Sequence, residues 1–191
     1  MTLDLMQKSE IQQLVADAYR ALEETPGGPA ARFYADDQLT ALPDGAVEWA
    51  LGVGNPVASA ELAPGEVVAD LGCGSGIDTL LAAGLVGPTG KVIGIDFLAE
   101  MAERARSFAA KAAAGNVEIH QAEMESLPLP DSSVDVVISN GSINLSARKS
   151  RVLAEAHRVL RPGGRLCVSD LTICEEDLPA EILTHPSAWA G

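Results

Sequence analysis

The chain predicts an α/β fold, a parallel sheet wound on both faces by helices, and three observations carry that expectation. From Glu66 onward, short apolar runs alternate with amphipathic stretches of helical length. The first run leads into a glycine loop, Asp70-Leu71-Gly72-Cys73-Gly74-Ser75-Gly76. The next, Val92-Ile93-Gly94-Ile95, is closed by Asp96, twenty positions after Gly76. A strand, a glycine turn, a helix and a second strand ending in a carboxylate make one half of a Rossmann-like, doubly wound nucleotide-binding unit.

Each element follows from its local pattern. Ser9-Glu10-Ile11-Gln12 has the form of a capping box, and Ile11, Leu14, Val15, Ala18 and Leu22 recur at helical spacing, which predicts an amphipathic helix over 9–24. Pro26-Gly27-Gly28-Pro29 breaks the chain, and the stretch that follows is irregular until 47–51 and 56–62. Residues 1–63 therefore read as an N-terminal helical cap. The core, residues 64–175, reads as strands at 67–71, 91–95, 117–121, 134–139 and 165–170, with helices at 76–85, 98–113 and 149–160. Arg161-Pro162-Gly163-Gly164 reads as a helix stop and a turn ahead of the fifth strand. Residues 176–191 start a C-terminal extension, helical in pattern from Leu178 to Trp189.

Composition narrows the class. The 191 residues are 47% hydrophobic, enough for one substantial core, and no apolar run approaches a membrane span. The stretch Met1 to Gln12 lacks the basic-then-apolar profile of a signal peptide, so a cytoplasmic location with no membrane partner is expected. A formal charge of −14 speaks against nucleic acid, whose binding draws on phosphate neutralisation. Cys73, Cys167 and Cys174 are an odd number with no pair at metal spacing, so neither a disulfide framework nor a metal site is expected. Cys73 sits at a helix N-terminus, a setting that lowers a thiol pKa, but it reads first as a small residue in a tight turn. His120 and His157 read as structural, His185 as a residue near the site, and Tyr19, Phe33, Tyr34 and Trp49 as core that could also line an acceptor pocket.

The loop chemistry selects a ligand. Glycines at 72, 74 and 76 let a ligand lie against the main chain, and Asp96 can accept both hydroxyls of a ribose. A pyrophosphate loop has a glycine or alanine where this chain has Ile77, which disfavours a dinucleotide and with it a nicotinamide-dependent oxidoreductase. Asp70 at the loop mouth would repel phosphate but suits a ligand carrying an ammonium group, as S-adenosylmethionine does. An acid ahead of the glycines and another on the next strand resemble the S-adenosylmethionine site of class I methyltransferases.

A narrower likeness spans residues 54–191. Gly54-Asn55-Pro56-Val57-Ala58, Gly87-Pro88-Thr89-Gly90-Lys91-Val92-Ile93-Gly94-Ile95-Asp96, Ile138-Ser139-Asn140-Gly141-Ser142-Ile143-Asn144-Leu145-Ser146 and His157-Arg158-Val159-Leu160-Arg161-Pro162-Gly163-Gly164 resemble bacterial arsenite methyltransferases. The resemblance implies S-adenosylmethionine as cofactor, with Asp70, Gly72, Cys73, Gly74 and Gly76 around its methionine moiety and Asp96 on its ribose. It further implies Phe97 and Leu98 against the adenine, Glu123 and Met124 on its amino edge, and Asn140 beside the sulfonium. A small molecule or metalloid is the implied substrate. It also implies a seven-stranded sheet, of which five strands are counted here, so the sheet is expected to be cut short at the C-terminal end. Where that family places two arsenic-binding cysteines this chain has Val53 and Gly141, which leaves open a protein that binds the cofactor with little or no methyl transfer.

Overall fold

The computed structural model describes residues 8–20 and 31–172. Five parallel strands, β1 (Val67–Leu71), β2 (Lys91–Asp96), β3 (Val117–Gln121), β4 (Val134–Asn140) and β5 (Leu160–Ser169), form one sheet in the order β3-β2-β1-β4-β5. The chain returns from β1 to β2 through α4 (Ile77–Val86) and from β2 to β3 through α5 (Ala99–Lys111), and α6 (Lys149–Val159) joins β4 to β5. The strand order therefore reverses at β1, whose neighbours are β2 on one side and β4 on the other. In such sheets the crevice beyond the carboxyl ends of the strands at the reversal is the ligand site. The doubly wound α/β class expected from the alternating pattern is the observed one.

The central strands are unbroken apolar runs because both faces are covered. Val68, Leu71, Val92, Ile95, Val136 and Ile138 have no exposed surface. One side of the core joins Val68, Val92, Val136 and Ile138 to α4 and to Tyr34, Ala50, Val57 and Ala60 of the N-terminal region. The other joins Ala69, Leu71, Ile93 and Ile95 to Val152, Ala156 and Val159 of α6.

The N-terminal region is built of short pieces: α1 (Lys8–Arg20), α2 (Asp36–Thr40), α3 (Pro56–Ser59) and single 3-10 turns at Ala31–Phe33 and Val47–Trp49. Helix α1 includes Lys8, so Ser9 lies inside its first turn rather than ahead of it. Leu22 and the rest of the predicted extension to residue 24 lie outside the described residues. Asn55 caps α3, its side chain accepting the Ala58 N–H at 2.9 Å with Pro56 in the first helical position, which accounts for the Gly54-Asn55-Pro56 motif.

The main local correction concerns residues 160–164. These continue the fifth strand instead of ending a helix and turning. Leu160 pairs with Val134 and Arg165 with Val136, so five steps on β5 match two on β4 and the surplus is taken up as a bulge, with Gly163 at φ +83°. Arg165 then anchors β5 by pairing with Glu66 at 2.7 Å and donating to the carbonyls of Ala60 and Glu61. Cys167 is half-buried at the margin of the apolar cluster, between the exposed Leu166 and Val168. Cys174, His185 and the extension over 176–191 lie outside the described residues. Among the described residues no helix is long and apolar enough to cross a membrane.

Candidate functional site

One cavity opens at the carboxyl ends of β1, β2 and β4, where the strand order reverses. Its floor is the loop after β1. Gly72, Gly74 and Gly76 have φ of +72°, +53° and +90°, backbone angles that only glycine adopts without strain. Their surroundings differ. A Cβ on Gly72 would fall 2.3 Å from Cβ of Ser142, so this glycine admits the chain after β4. A Cβ on Gly74 would meet nothing within 4 Å, leaving open space above the main chain. Gly76 is not among the residues lining the cavity; it is the N-cap of α4, and a Cβ placed on it would lie 3.2 Å from Cβ of Ala105 in α5.

Asp70, Gly72, Cys73, Gly74, Asp96, Phe97, Leu98, Met124 and Asn140 all line this cavity. Asp96 at the tip of β2 accepts the Gly74 N–H and the Leu98 N–H, each at 2.9 Å, one on either oxygen. A carboxylate has about four lone-pair sites, so both oxygens retain capacity for further donors. Glu123 stands apart. Its side chain accepts from Gln12 of α1 at 2.9 Å, while its neighbours Met124 and Glu125 turn to the cavity. That bond ties α1 over the site, and Gln12, Val15 and Tyr19 supply the cavity wall on this side.

Sequence reasoning missed Asp78. It sits in the first turn of α4, is buried, and faces the cavity together with Asp70. Its signal was an acid just inside a helix start, which reads as a dipole partner unless the fold is known to bury it. Tyr34 Oη donates to Asp78 Oδ1 at 2.9 Å, and Asn140 Nδ2 donates to Asp78 Oδ2 at 2.9 Å. Asp70 in turn accepts from the Thr79 hydroxyl at 2.6 Å.

Four carboxylates, Asp70, Asp78, Asp96 and Glu125, thus share one cavity, and among the described residues no lysine, arginine or histidine lines it. Burial pushes Asp70, Asp78 and Asp96 up from the ordinary carboxylate value, and Asp78 and Asp96 raise Asp70 further by like-charge repulsion. The same field acts on the other groups. Tyr19 is pushed up to about 12 by burial and by Asp96 and Asp170. Cys73 is also raised, by burial and then by Asp70 and Asp96, which reverses the lowering expected from its place before a helix. The thiol packs against Gly94 and is buried.

The two described histidines are elsewhere. His120 Nε2 contacts Glu118 at 2.7 Å near the end of β3, and His157 is exposed on α6. Among the described residues no group of three or more His, Cys, Asp or Glu is arranged to hold a metal ion.

A doubly wound sheet with a glycine loop after its first strand and an acid at the tip of the second defines a class of nucleotide-cofactor enzymes. Within it, the chain belongs to the methyltransferase domain family, whose sequence model matches residues 62–190. An arsenite methyltransferase from Halobacterium salinarum is 45% identical over 170 residues, covering 88% of this chain and 43% of that protein. A demethylmenaquinone methyltransferase from Symbiobacterium thermophilum is 38% identical over 110 residues, covering 57% of this chain and 44% of that protein. Among solved structures, an arsenic(III) S-adenosylmethionine methyltransferase from Chlamydomonas reinhardtii superposes with a TM-score of 0.70 at 40% identity, over 84% of this chain and 55% of that one. The chain spans less than half the length of the two curated relatives.

Proposed function

We propose that the cavity binds S-adenosylmethionine and that the protein transfers its methyl group to a small-molecule acceptor entering beside Trp49–Gly54 and Asn140. The observation that carries this reading is the set of four buried carboxylates in a cavity lined, among the described residues, by no basic side chain. S-adenosylmethionine brings a sulfonium and an ammonium, two positive charges that such a cavity favours, whereas a pyrophosphate would be repelled. The residues fit the group in detail. Gly74 leaves open space over the main chain, Asp96 keeps acceptor capacity for ribose hydroxyls, and Phe97, Leu98 and Met124 offer apolar surface for an adenine. Glu123 bonds Gln12 instead of facing the cavity, so the contact with the adenine amino group is assigned to the backbone of the segment 122–124.

The sulfonium supplies the reactive methyl when bound. The chain's task is then to align an acceptor in line with the methyl and keep water out, which needs positioned walls more than an acid or base. The acceptor is a small molecule or a metalloid. For a metalloid the positions that matter are 53 and 141, because trivalent arsenic is held by soft thiolates and neither Val53 nor Gly141 offers one. Their pairing in space also supports a second reading, in which the cofactor binds with little turnover. A screen with methyl-labelled S-adenosylmethionine against thiols, arsenite, selenite and small amines separates the two. Label transfer to any acceptor class supports the enzyme. Saturable binding with no transfer supports the second reading.

A further inference from the structure

Asn140 makes more hydrogen bonds than any role beside a cofactor requires. Its Oδ1 accepts the backbone N–H of Val53 at 2.8 Å and of Gly54 at 3.1 Å. Its Nδ2, which carries two protons, has three acceptors in reach, the Gly54 carbonyl at 2.8 Å, Asp78 Oδ2 at 2.9 Å and Tyr34 Oη at 3.0 Å, so one proton is shared between two of them. The two backbone N–H groups fix which end of the amide is oxygen, because a flipped amide would set donor against donor. The remaining protons follow. Tyr34 donates to Asp78 Oδ1, so its oxygen is free to accept from Asn140, and Asp78 accepts on both oxygens only as the carboxylate.

The segment held this way is shaped for it. A Cβ on Gly52 would fall 2.3 Å from Asn140 Nδ2, and a Cβ on Gly54 would fall 2.7 Å from the Ser169 side chain, so glycines on both sides of Val53 let the strap lie flat between the ends of β4 and β5. The partners come from three places in the sequence: Tyr34, the strap and the start of α4. None of the three was legible as a partner of Asn140 from spacing alone.

We propose that Asp78 and Tyr34 are positioning residues that lock the Asn140 amide in one orientation and thereby fix the strap Gly52–Gly54 across the edge of the cavity. The strap is held by the first turn of the helix that follows the glycine loop, so the wall on the acceptor side and the cofactor floor are set by one network. That the strap walls an acceptor rests on the function proposed above; its fixation by Asp78 and Tyr34 does not.

The test is amide hydrogen exchange on the cofactor-free chain, following Val53 and Gly54 with Val92–Ile95 of β2 as reference. Tyr34→Phe and Asp78→Asn, both near-isosteric, are expected to speed exchange at Val53 and Gly54 by about tenfold or more while the reference amides keep their rates. In the unsubstituted chain, protection at these two amides should fall as pH is lowered and Asp78 takes a proton, and Asp78→Asn should abolish that dependence. Asp70 on β1, Asp96 on β2, Cys73 in the glycine loop, Glu125 after β3 and Tyr34 are titratable groups facing Asp78 or its cavity, and Asp70→Asn serves as the control that must keep the pH dependence, with its midpoint moved down because one like charge is removed. Unchanged exchange at Val53 and Gly54, or a rise shared equally by the reference amides, overturns the proposal. Absence of any S-adenosylmethionine binding by the unsubstituted chain would overturn the cofactor reading instead, with the exchange result unaffected.

Discussion

Gly141 faces Val53: a Cβ placed on Gly141 would lie 3.6 Å from both Cγ atoms of Val53. The two positions that the resemblance to arsenite methyltransferases assigns to cysteine are thus adjacent, next to Asn140 and the strap. Neither side chain present can donate to a metalloid.

The first prediction follows from that pairing. Arsenite with methyl-labelled S-adenosylmethionine and excess glutathione should yield methylated arsenic more slowly than the best other acceptor. Val53→Cys combined with Gly141→Cys should raise the arsenite rate by about tenfold or more. Gly141 has φ +71°, so a cysteine there costs about 1–2 kcal/mol of stability and the melting temperature should fall accordingly. Arsenite turnover by the unsubstituted chain that equals its rate on any other acceptor would show the thiols to be dispensable.

The glycines of the loop should separate by role. Gly72→Ala drives a methyl into Ser142 and should destabilise the fold along with cofactor binding. Gly74→Ala meets no protein atom, so beyond the strain of φ +53°, about 1–2 kcal/mol, its effect should fall on the ligand. Thermal melts of both variants with and without S-adenosylmethionine check this. A Gly74→Ala chain that gains as much thermal stabilisation from the cofactor as the unsubstituted chain would place the ligand elsewhere.

The buried carboxylates predict a pH dependence with a definite sign. Asp70, Asp78 and Asp96 are raised in the folded chain, so their contribution to stability is fullest below the unfolded value near pH 4 and is lost as pH rises through the folded values. A bound cation favours the ionised forms and reverses that loss. Cofactor affinity should therefore climb across about pH 5 to 8, and binding at the acid end of that range should release protons. Calorimetric titration in two buffers of different ionisation enthalpy measures the release. Proton uptake, or affinity that falls with pH, would contradict a cationic ligand among carboxylates.

The support for the loop after β3 lies in α6. Glu155 accepts the Leu127 N–H at 2.9 Å and pairs with Arg158 at 2.7 Å, and Arg158 donates to the carbonyls of Leu127 and Leu129. Arg158 and a backbone N–H hold the Glu155 carboxyl down at about 2, so this stabilisation is present above the ordinary carboxylate value and is lost only as pH falls toward 2. Glu155→Ala should cost about 1.5–3 kcal/mol, the range for hydrogen bonds to charged groups. Urea unfolding at neutral pH reads the change, and a loss below about 0.5 kcal/mol would mean the network is carried by Arg158 and Asp131 alone.

The parts of this fold that were legible in the sequence are those where local pattern and tertiary role coincide. The runs around Val68, Val92 and Val136 are apolar because both sheet faces are covered, and the loop from Asp70 to Gly76 needs glycine for its own backbone angles. Asp96 was legible because a strand end is a fixed place. Asp78, Tyr34 and the strap were not, since their meaning arises from Asn140, which lies 62 residues from Asp78, 106 from Tyr34 and 86 from Gly54. Gly76 and Glu123 show the converse limit. Both stand where a cofactor residue is expected by motif, yet one packs on Ala105 and the other bonds Gln12. The strand at Leu160 was hidden because Pro162 and the two glycines spell a turn, and only pairing with β4 turns them into a bulge.

The most direct measurement is a calorimetric titration of the chain with S-adenosylmethionine and, separately, with a nicotinamide dinucleotide, repeated on Asp96→Ala. The expected result is one saturable site for S-adenosylmethionine, none for the dinucleotide, and a loss of about 1.5–3 kcal/mol in Asp96→Ala, roughly ten- to a hundredfold in affinity. Unchanged affinity in a folded Asp96→Ala chain, or tighter binding of the dinucleotide, would contradict the assignment of this cavity to S-adenosylmethionine.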